Sequence, residues 1–226
     1  MATTRPGSAQ NRIRLVVAIA NFLFFVGPFS VPQDGPADIQ VITTSPGVEK
    51  YLSPYKNLLN NDYDGYRGHV YRVLTYTNHL LGGDKTHRDA IEAALVFHDI
   101  GLWTDGALGY LEPSIERAKE ALANDFSGEE MEIIEAIILY HHKITPYVGE
   151  GNTDYTKVID ATRKADWIDA SMGMIPKGIT RPNIVKTEAS IPNAGFHNIL
   201  RDFLLFRIRG WNVPLAFWEL SSIMKL

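Results

Sequence analysis

Beyond residue 50, apolar residues recur at steps of three and four, and that period admits helices while leaving almost no room for a sheet. Amphipathic helices are predicted over residues 66–81, 86–100, 113–123, 127–142 and 155–171, followed by an aromatic helix over Phe196–Arg209 and an apolar end over 213–224. Start signals agree: Thr86 precedes Asp89 by three residues and Ser127 precedes Glu130 by three, the spacing of a capping box. Pro113 suits a first helical turn and Gly101 a helix end. The best strand candidate, 39–44, is short, and residues 176–195 read as a long loop. A chain of 226 residues supports one core, so the expected architecture is all-α, a single bundle of about five to seven helices.

Residues 1–47 do not share this pattern. Arg5, Arg12 and Arg14 carry no acidic counterpart among residues 1–14, and residues 15–31 then run almost unbroken apolar. A basic end before such a run is the outline of a signal sequence or anchor. At about 1.5 Å per residue it spans only about 25 Å, short of the roughly 30 Å hydrocarbon core. Two readings therefore stand side by side: membrane or secretory use of 15–31, or an apolar segment packed on the domain. Residues 32–47, rich in Pro, Gly and Asp, read as a linker, and the domain is expected over 48–226. Localisation stays open between cytoplasm and membrane or secretory pathway.

The chain has no cysteine, which excludes disulfides, thiolate catalysis and cysteine-held zinc or iron–sulfur sites. Its net charge of −4 gives no electrostatic case for binding duplex nucleic acid. Any metal must sit on His, Asp or Glu, and the helical phases put several of these on apolar faces. His69 shares a face with Val73, Tyr76 and Leu80, and His98 with Ile91, Ala94 and Leu95. His141 shares one with Ile134, Ile137 and Ile138, and Asp166 with Ile159, Thr162 and Asp169. A single inward histidine is ordinarily a hydrogen-bonded core residue, but an unpaired buried carboxylate costs several kcal/mol and needs a cation or donor. A shared ion would satisfy all of these groups. Because neighbours on a helix point about 100° apart, His98 and Asp99 can serve one ion only near a helix end. A His/Asp set suits Mn, Fe, Co, Ni, Zn or Mg.

Taken in order, YRGHVYRV (66–73), AALVFHDIG (93–101), IILYHHK (137–143) and KADWIDAS (164–171) resemble the HD-domain superfamily of metal-dependent phosphohydrolases. The resemblance spans roughly residues 50–172 and includes the spacing between motifs. It implies an all-helical fold with His69, His98, Asp99 and Asp166 as metal ligands, Asp169 and Asp160 being the alternatives to Asp166. Some members hold two ions through further histidines. His141 and His142 match one part of that set, but no histidine stands at 110–120, where Tyr110 and Glu112 occur. Glu112 either replaces the missing imidazole or is a helix N-terminal acid. One ion is therefore expected, with two as the alternative held by Glu112, His141 and His142.

On this resemblance the expected activity is hydrolysis of a small, phosphate-containing substrate, with metal-bound hydroxide as nucleophile and His141 or His142 as catalytic acid or substrate contact. Lys164 and His197 are the candidate substrate-binding residues, each with the plainer alternative of a surface or capping role. Relatives on the same scaffold include diiron oxygenases acting on organophosphonates or polyols, and hydratases of small nitriles. A metal-stabilised, membrane-tethered regulatory module is the non-enzymatic alternative. Leu102 stands where some nucleotidase-like relatives carry an acid, which argues against nucleotides. The oligomeric state is not legible.

Overall fold

The computed structural model describes residues 38–105, 109–149, 153–209 and 224. The apolar segment 15–31 and most of the apolar end 213–224 lie outside the described residues. Helices follow one another as α1 (Pro46–Leu52), α2 (Lys56–Leu59), α3 (Tyr63–Leu80), α4 (Arg88–Phe97) and α5 (Gly101–Thr104), then α6 (Leu111–Leu122), α7 (Gly128–Tyr140), α8 (Thr153–Ala170), α9 (Arg181–Ser190) and α10 (Phe196–Arg209). Seven of these have ten or more residues. No strand occurs among the described residues, so the all-α expectation holds. Among them no helix is long and apolar enough to cross a membrane.

Four helices form a ring around the core. α3 packs along α8, α8 against α7, α7 along α4, and α4 back against α3. Their inward positions are apolar and almost fully buried: Val70, Val73 and Leu74 on α3, Ala94 and Leu95 on α4, Ile134, Ile137 and Ile138 on α7, and Ala165 and Ile168 on α8. α1 covers α4 from outside, α6 lies on α7, and α9 and α10 lie against α3. The Ser127 capping box is formed as expected, its hydroxyl accepting from the Glu130 N–H while the Glu130 carboxylate accepts from Ser127. Thr86 instead turns to Asp84, both its N–H and hydroxyl donating to that carboxylate, and α4 begins at Arg88 without a side-chain cap.

Three expectations are corrected. The stretch read as a linker packs on the domain from Ile39, which is 1 % exposed and donates its N–H to Asn183. The strand candidate 39–44 has no neighbouring strand, so its amides go to side chains, Ile42 N–H to Thr75 for example. The loop 176–195 contains α9. That helix buries only Asn183, Ile184 and Thr187, too few apolar positions to show a period, and its sequence signal is Pro182 in the first turn.

α3 meets the 191–196 segment through glycine. A Cβ on Gly68 would lie 2.8 Å from the Pro192 carbonyl oxygen, a carbonyl that also accepts from Arg72 Nη1 at 3.0 Å. Gly68→Ala is therefore expected to lower stability by about 1 kcal/mol, overpacking outweighing the gain in helix propensity; the urea midpoint reads it directly.

Candidate metal centre

Each helix of the ring sends polar groups to one point. His69 comes from the middle of α3 and Asp166 and Asp169 from α8. His98 and Asp99 follow the last residue of α4, and His141 and His142 the last residue of α7. Both adjacent pairs thus sit at helix C-termini, where unpaired carbonyls favour positive charge. The two ends are built alike. His98 Nδ1 lies 2.7 Å from the Leu95 carbonyl, three residues back, and His141 Nδ1 lies 2.7 Å from the Ile138 carbonyl, again three residues back. A carbonyl only accepts, so each Nδ1 carries the proton and each Nε2 is left with its lone pair facing the centre.

His69 is oriented by a carboxylate. Its Nδ1 donates to Asp169 Oδ2 at 2.7 Å, and Asp169 is clamped by Arg72, Nε to Oδ1 at 2.5 Å and Nη2 to Oδ2 at 2.9 Å. Phe196 stacks flat on the His69 ring, centroids 4.0 Å apart. His69 Nε2 consequently faces His98 Nε2 at 2.9 Å, two ring nitrogens meeting where each would offer a lone pair. Around them lie Asp99 Oδ2, 3.6 Å from His69 and 3.3 Å from His98, and Asp166 Oδ1, 3.4 Å and 3.7 Å from the same atoms. Atoms that share one ion at about 2.0–2.2 Å stand about 3–3.5 Å apart, so His69, His98 and Asp99 lie close to the spacing of a coordination set, and Asp166 Oδ1 lies beside both imidazoles.

The two carboxylates reach further. Asp99 Oδ1 lies 3.4 Å from His141 Nε2, and Asp166 Oδ2 lies 3.6 Å from His142 Nδ1. Two trios have ligand atoms within 4.8 Å of one another and could hold a metal ion, His69–His98–Asp99 and Asp99–His141–His142, with Asp99 common to both. Asp166 Oδ2 is buried with no hydrogen-bond donor among the described residues, a place where a cation is wanted. The side chains of His69, His98, Asp99, Asp166 and His141 are at most 4 % exposed, but His142 is 24 % exposed, so the centre opens to solvent beside His142.

Electrostatics follow from this crowding. Burial disfavours the charged form of His69, yet its bonds to Asp166 and Asp169 prevail and push its pKa up to about 9. His141 is raised in the same way: burial opposes its charge, and the carboxylates Asp99 and Asp166 overcome it. Burial and the neighbouring His141 push His142 down to about 3, leaving it neutral. Asp99, Asp166 and Asp169 are held below the usual carboxylate range against the cost of burial, by the imidazoles and, for Asp169, also by Arg72.

Outer groups hold the frame. The Tyr66 hydroxyl donates to the Val96 carbonyl at 2.8 Å and fixes the end of α4 against α3. The buried Arg163 donates to the Lys143 carbonyl at 2.9 Å, and Trp167 Nε1 to the same oxygen at 3.3 Å, pinning the end of α7 to α8. The remaining expected site residues lie elsewhere. Glu112 is exposed on α6 and stands apart from the buried cluster; Tyr110, the N-cap of that helix, turns inward in its place. Lys164 pairs with Asp160 at 2.9 Å and lines an outer groove with Leu80, Asp84 and His87. His197 contacts the Asp169 backbone carbonyl at 2.7 Å through Nε2, and so supports the clamp on His69. Gly101 does not end α4 but begins α5.

Sequence reasoning missed Arg72. It shares the YRGHVYRV segment with His69, and an arginine three residues from a histidine looks like solvated surface until Asp169 is placed opposite. No protein-family profile matches the chain, and neither the curated proteins nor the solved structures compared with it give a match.

Two expectations follow. Asp169→Asn is expected to weaken metal binding about 10–100-fold, read by competition with a chromogenic chelator, because the amide is uncharged and offers one acceptor oxygen where His69 and Arg72 together use two. In metal-stripped protein His69 has a folded pKa above its unfolded value of about 6.5, so its contribution to stability is fully present below pH 6.5 and lost as pH rises to about 9. The melting temperature of chelator-treated protein should fall across that window, and that of metal-loaded protein should hold.

Proposed function

We propose that this chain is a metal-dependent hydrolase of HD-domain type acting on a small, phosphate-containing substrate. One observation carries the reading: imidazole Nε2 atoms from three helices converge on two buried carboxylates, with His69 and His98 facing each other at 2.9 Å. Such a set is electron-rich on every side, and only protons or a metal ion neutralise it. His69, His98, Asp99 and Asp166 would hold the ion, the ligand order of the superfamily the motifs resemble. A bound divalent ion there lowers the pKa of a coordinated water and polarises the substrate.

The chain's own residues supply the rest. Arg72 and Asp169 keep His69 in the tautomer that presents Nε2, and the Leu95 and Ile138 carbonyls do the same for His98 and His141. His142, neutral and partly exposed, stands at the opening with Nδ1 3.6 Å from Asp166 Oδ2. His141 is buried with Nε2 turned to Asp99, which suits a ligand better than a proton donor to a leaving group. The phosphate-containing class rests on the motif resemblance, because Lys164 and His197 turn away from the centre.

A second reading is favoured by the sharing of Asp99 between the two trios, the arrangement a two-ion centre needs. It points to a diiron oxygenase on the same scaffold. Elemental analysis separates the two. Full-length protein purified without chelator is expected to carry metal that Asp99→Ala abolishes, and to hydrolyse phosphate monoesters or diesters in a metal-dependent way. Two irons per chain, with oxygen consumed on addition of phosphonates or polyols, would replace the first reading by the second.

A further inference from the structure

Tyr110 has no role in the function proposed above, yet its side chain lies inside the centre. The residue is 3 % exposed. Its hydroxyl donates to Asp99 Oδ1 at 2.7 Å, lies 3.4 Å from His141 Nε2, and is in direct contact with His142 Nε2. Asp99 Oδ1 and His141 Nε2 are themselves 3.4 Å apart. The phenol oxygen, the carboxylate oxygen and the imidazole nitrogen therefore make a triangle with edges of 2.7, 3.4 and 3.4 Å. Its two longer edges have the spacing of neighbouring ligands around one ion at about 2.0–2.2 Å, and the shorter one is the hydrogen bond that ligation would replace. The hydroxyl is thus within hydrogen-bonding distance of all three members of the Asp99–His141–His142 trio.

The backbone is built to put it there. Gly101, two residues after Asp99, donates its N–H to Ser114 Oγ at 2.9 Å, and Ser114 donates its own N–H to the Tyr110 carbonyl at 2.9 Å. A Cβ at position 101 would lie 2.4 Å from that carbonyl oxygen. Glycine at 101 is thus what lets the start of α6 come down onto the turn that carries His98 and Asp99 and deliver the Tyr110 ring to the cluster.

We propose that the Tyr110 phenol oxygen is a ligand of the second metal position, completing Asp99, His141 and His142 to a set of two nitrogens and two oxygens. The proposal rests on the cluster being a metal centre. Ligation breaks the phenol O–H bond, the proton passing to solvent and the oxygen electron pair to the ion, with no change of oxidation state. A phenolate and a carboxylate make this position harder than an all-imidazole site, which suits iron or manganese.

Iron gives the readout. Full-length protein loaded anaerobically with iron(II) and then oxidised with ferricyanide is expected to bind two irons and to show a visible tyrosinate-to-iron(III) charge-transfer band. Tyr110→Phe should lose the band and bind the second ion about tenfold more weakly or worse, with the first ion unaffected. Tyr110→His should recover the second ion without the band, and circular dichroism of both variants checks that they fold. Two irons with no band in the wild type, a single iron in the wild type, or a band that survives in Tyr110→Phe would each overturn the assignment and leave the metal centre standing. A wild-type chain that binds no metal would overturn the centre itself, and the assignment with it.

Discussion

Two carboxylates and three inward-facing imidazoles share a volume from which water is nearly excluded, and most of the surrounding architecture follows from keeping that arrangement stable. An ionised carboxylate in such a place is costly unless it is paired or bound to a cation. Asp99 and Asp166 meet imidazoles from three helices, and Asp169, one turn beyond Asp166, meets both His69 and Arg72. The C-terminal ends of α4 and α7 add the favourable side of two helix dipoles to any positive charge at the centre. In the absence of metal, protons do this work, which is why the pKa of His69 rises to about 9 although burial alone would lower it.

The frame that holds the ligands is polar as well as apolar. Arg72 and Arg163 are among the largest fully buried side chains, and neither faces the centre directly. Arg72 joins the Asp169 carboxylate to the Ile191 and Pro192 carbonyls, so the segment leading into α10 is tied to the ligand-bearing face of α3. Phe196 and His197 continue that tie, one on the face of His69 and the other on the Asp169 backbone. Arg163 joins Asp160 to the carbonyl that follows His142. Metal binding and the docking of the 191–197 segment therefore share the same hydrogen bonds, and disturbance of either is felt by the other.

The helical class and the ligands at the heart of the site were legible because both depend on periods of three and four. His69, His98, His141 and Asp166 fall in phase with Val73, Leu95, Ile138 and Thr162, residues the structure buries. Helix α9 escaped for the opposite reason, since a segment that buries three side chains leaves no periodic mark. Lys164 and Glu112 were misplaced because a sequence motif indicates proximity along the chain but not which way a side chain turns. Lys164 lies two residues before Asp166, a rotation of about 200° on a helix, and so belongs to the opposite face.

What the sequence by itself determined is what local geometry can encode: an all-α chain without cysteine, four helices presenting His and Asp inward, and a ligand order resembling one superfamily. The tertiary structure alone decided which partners those ligands meet. Asp99 and Asp166 each face two groups of histidines because four helix segments converge, and no spacing along one helix predicts a distance across the ring. The roles of Arg72, Asp169 and Tyr110 arise in the same way. Each is defined by a group 11, 31 or 97 residues away in the chain. A hydrogen bond over such a separation exists only after the chain has folded, because it is packing that brings its two ends together.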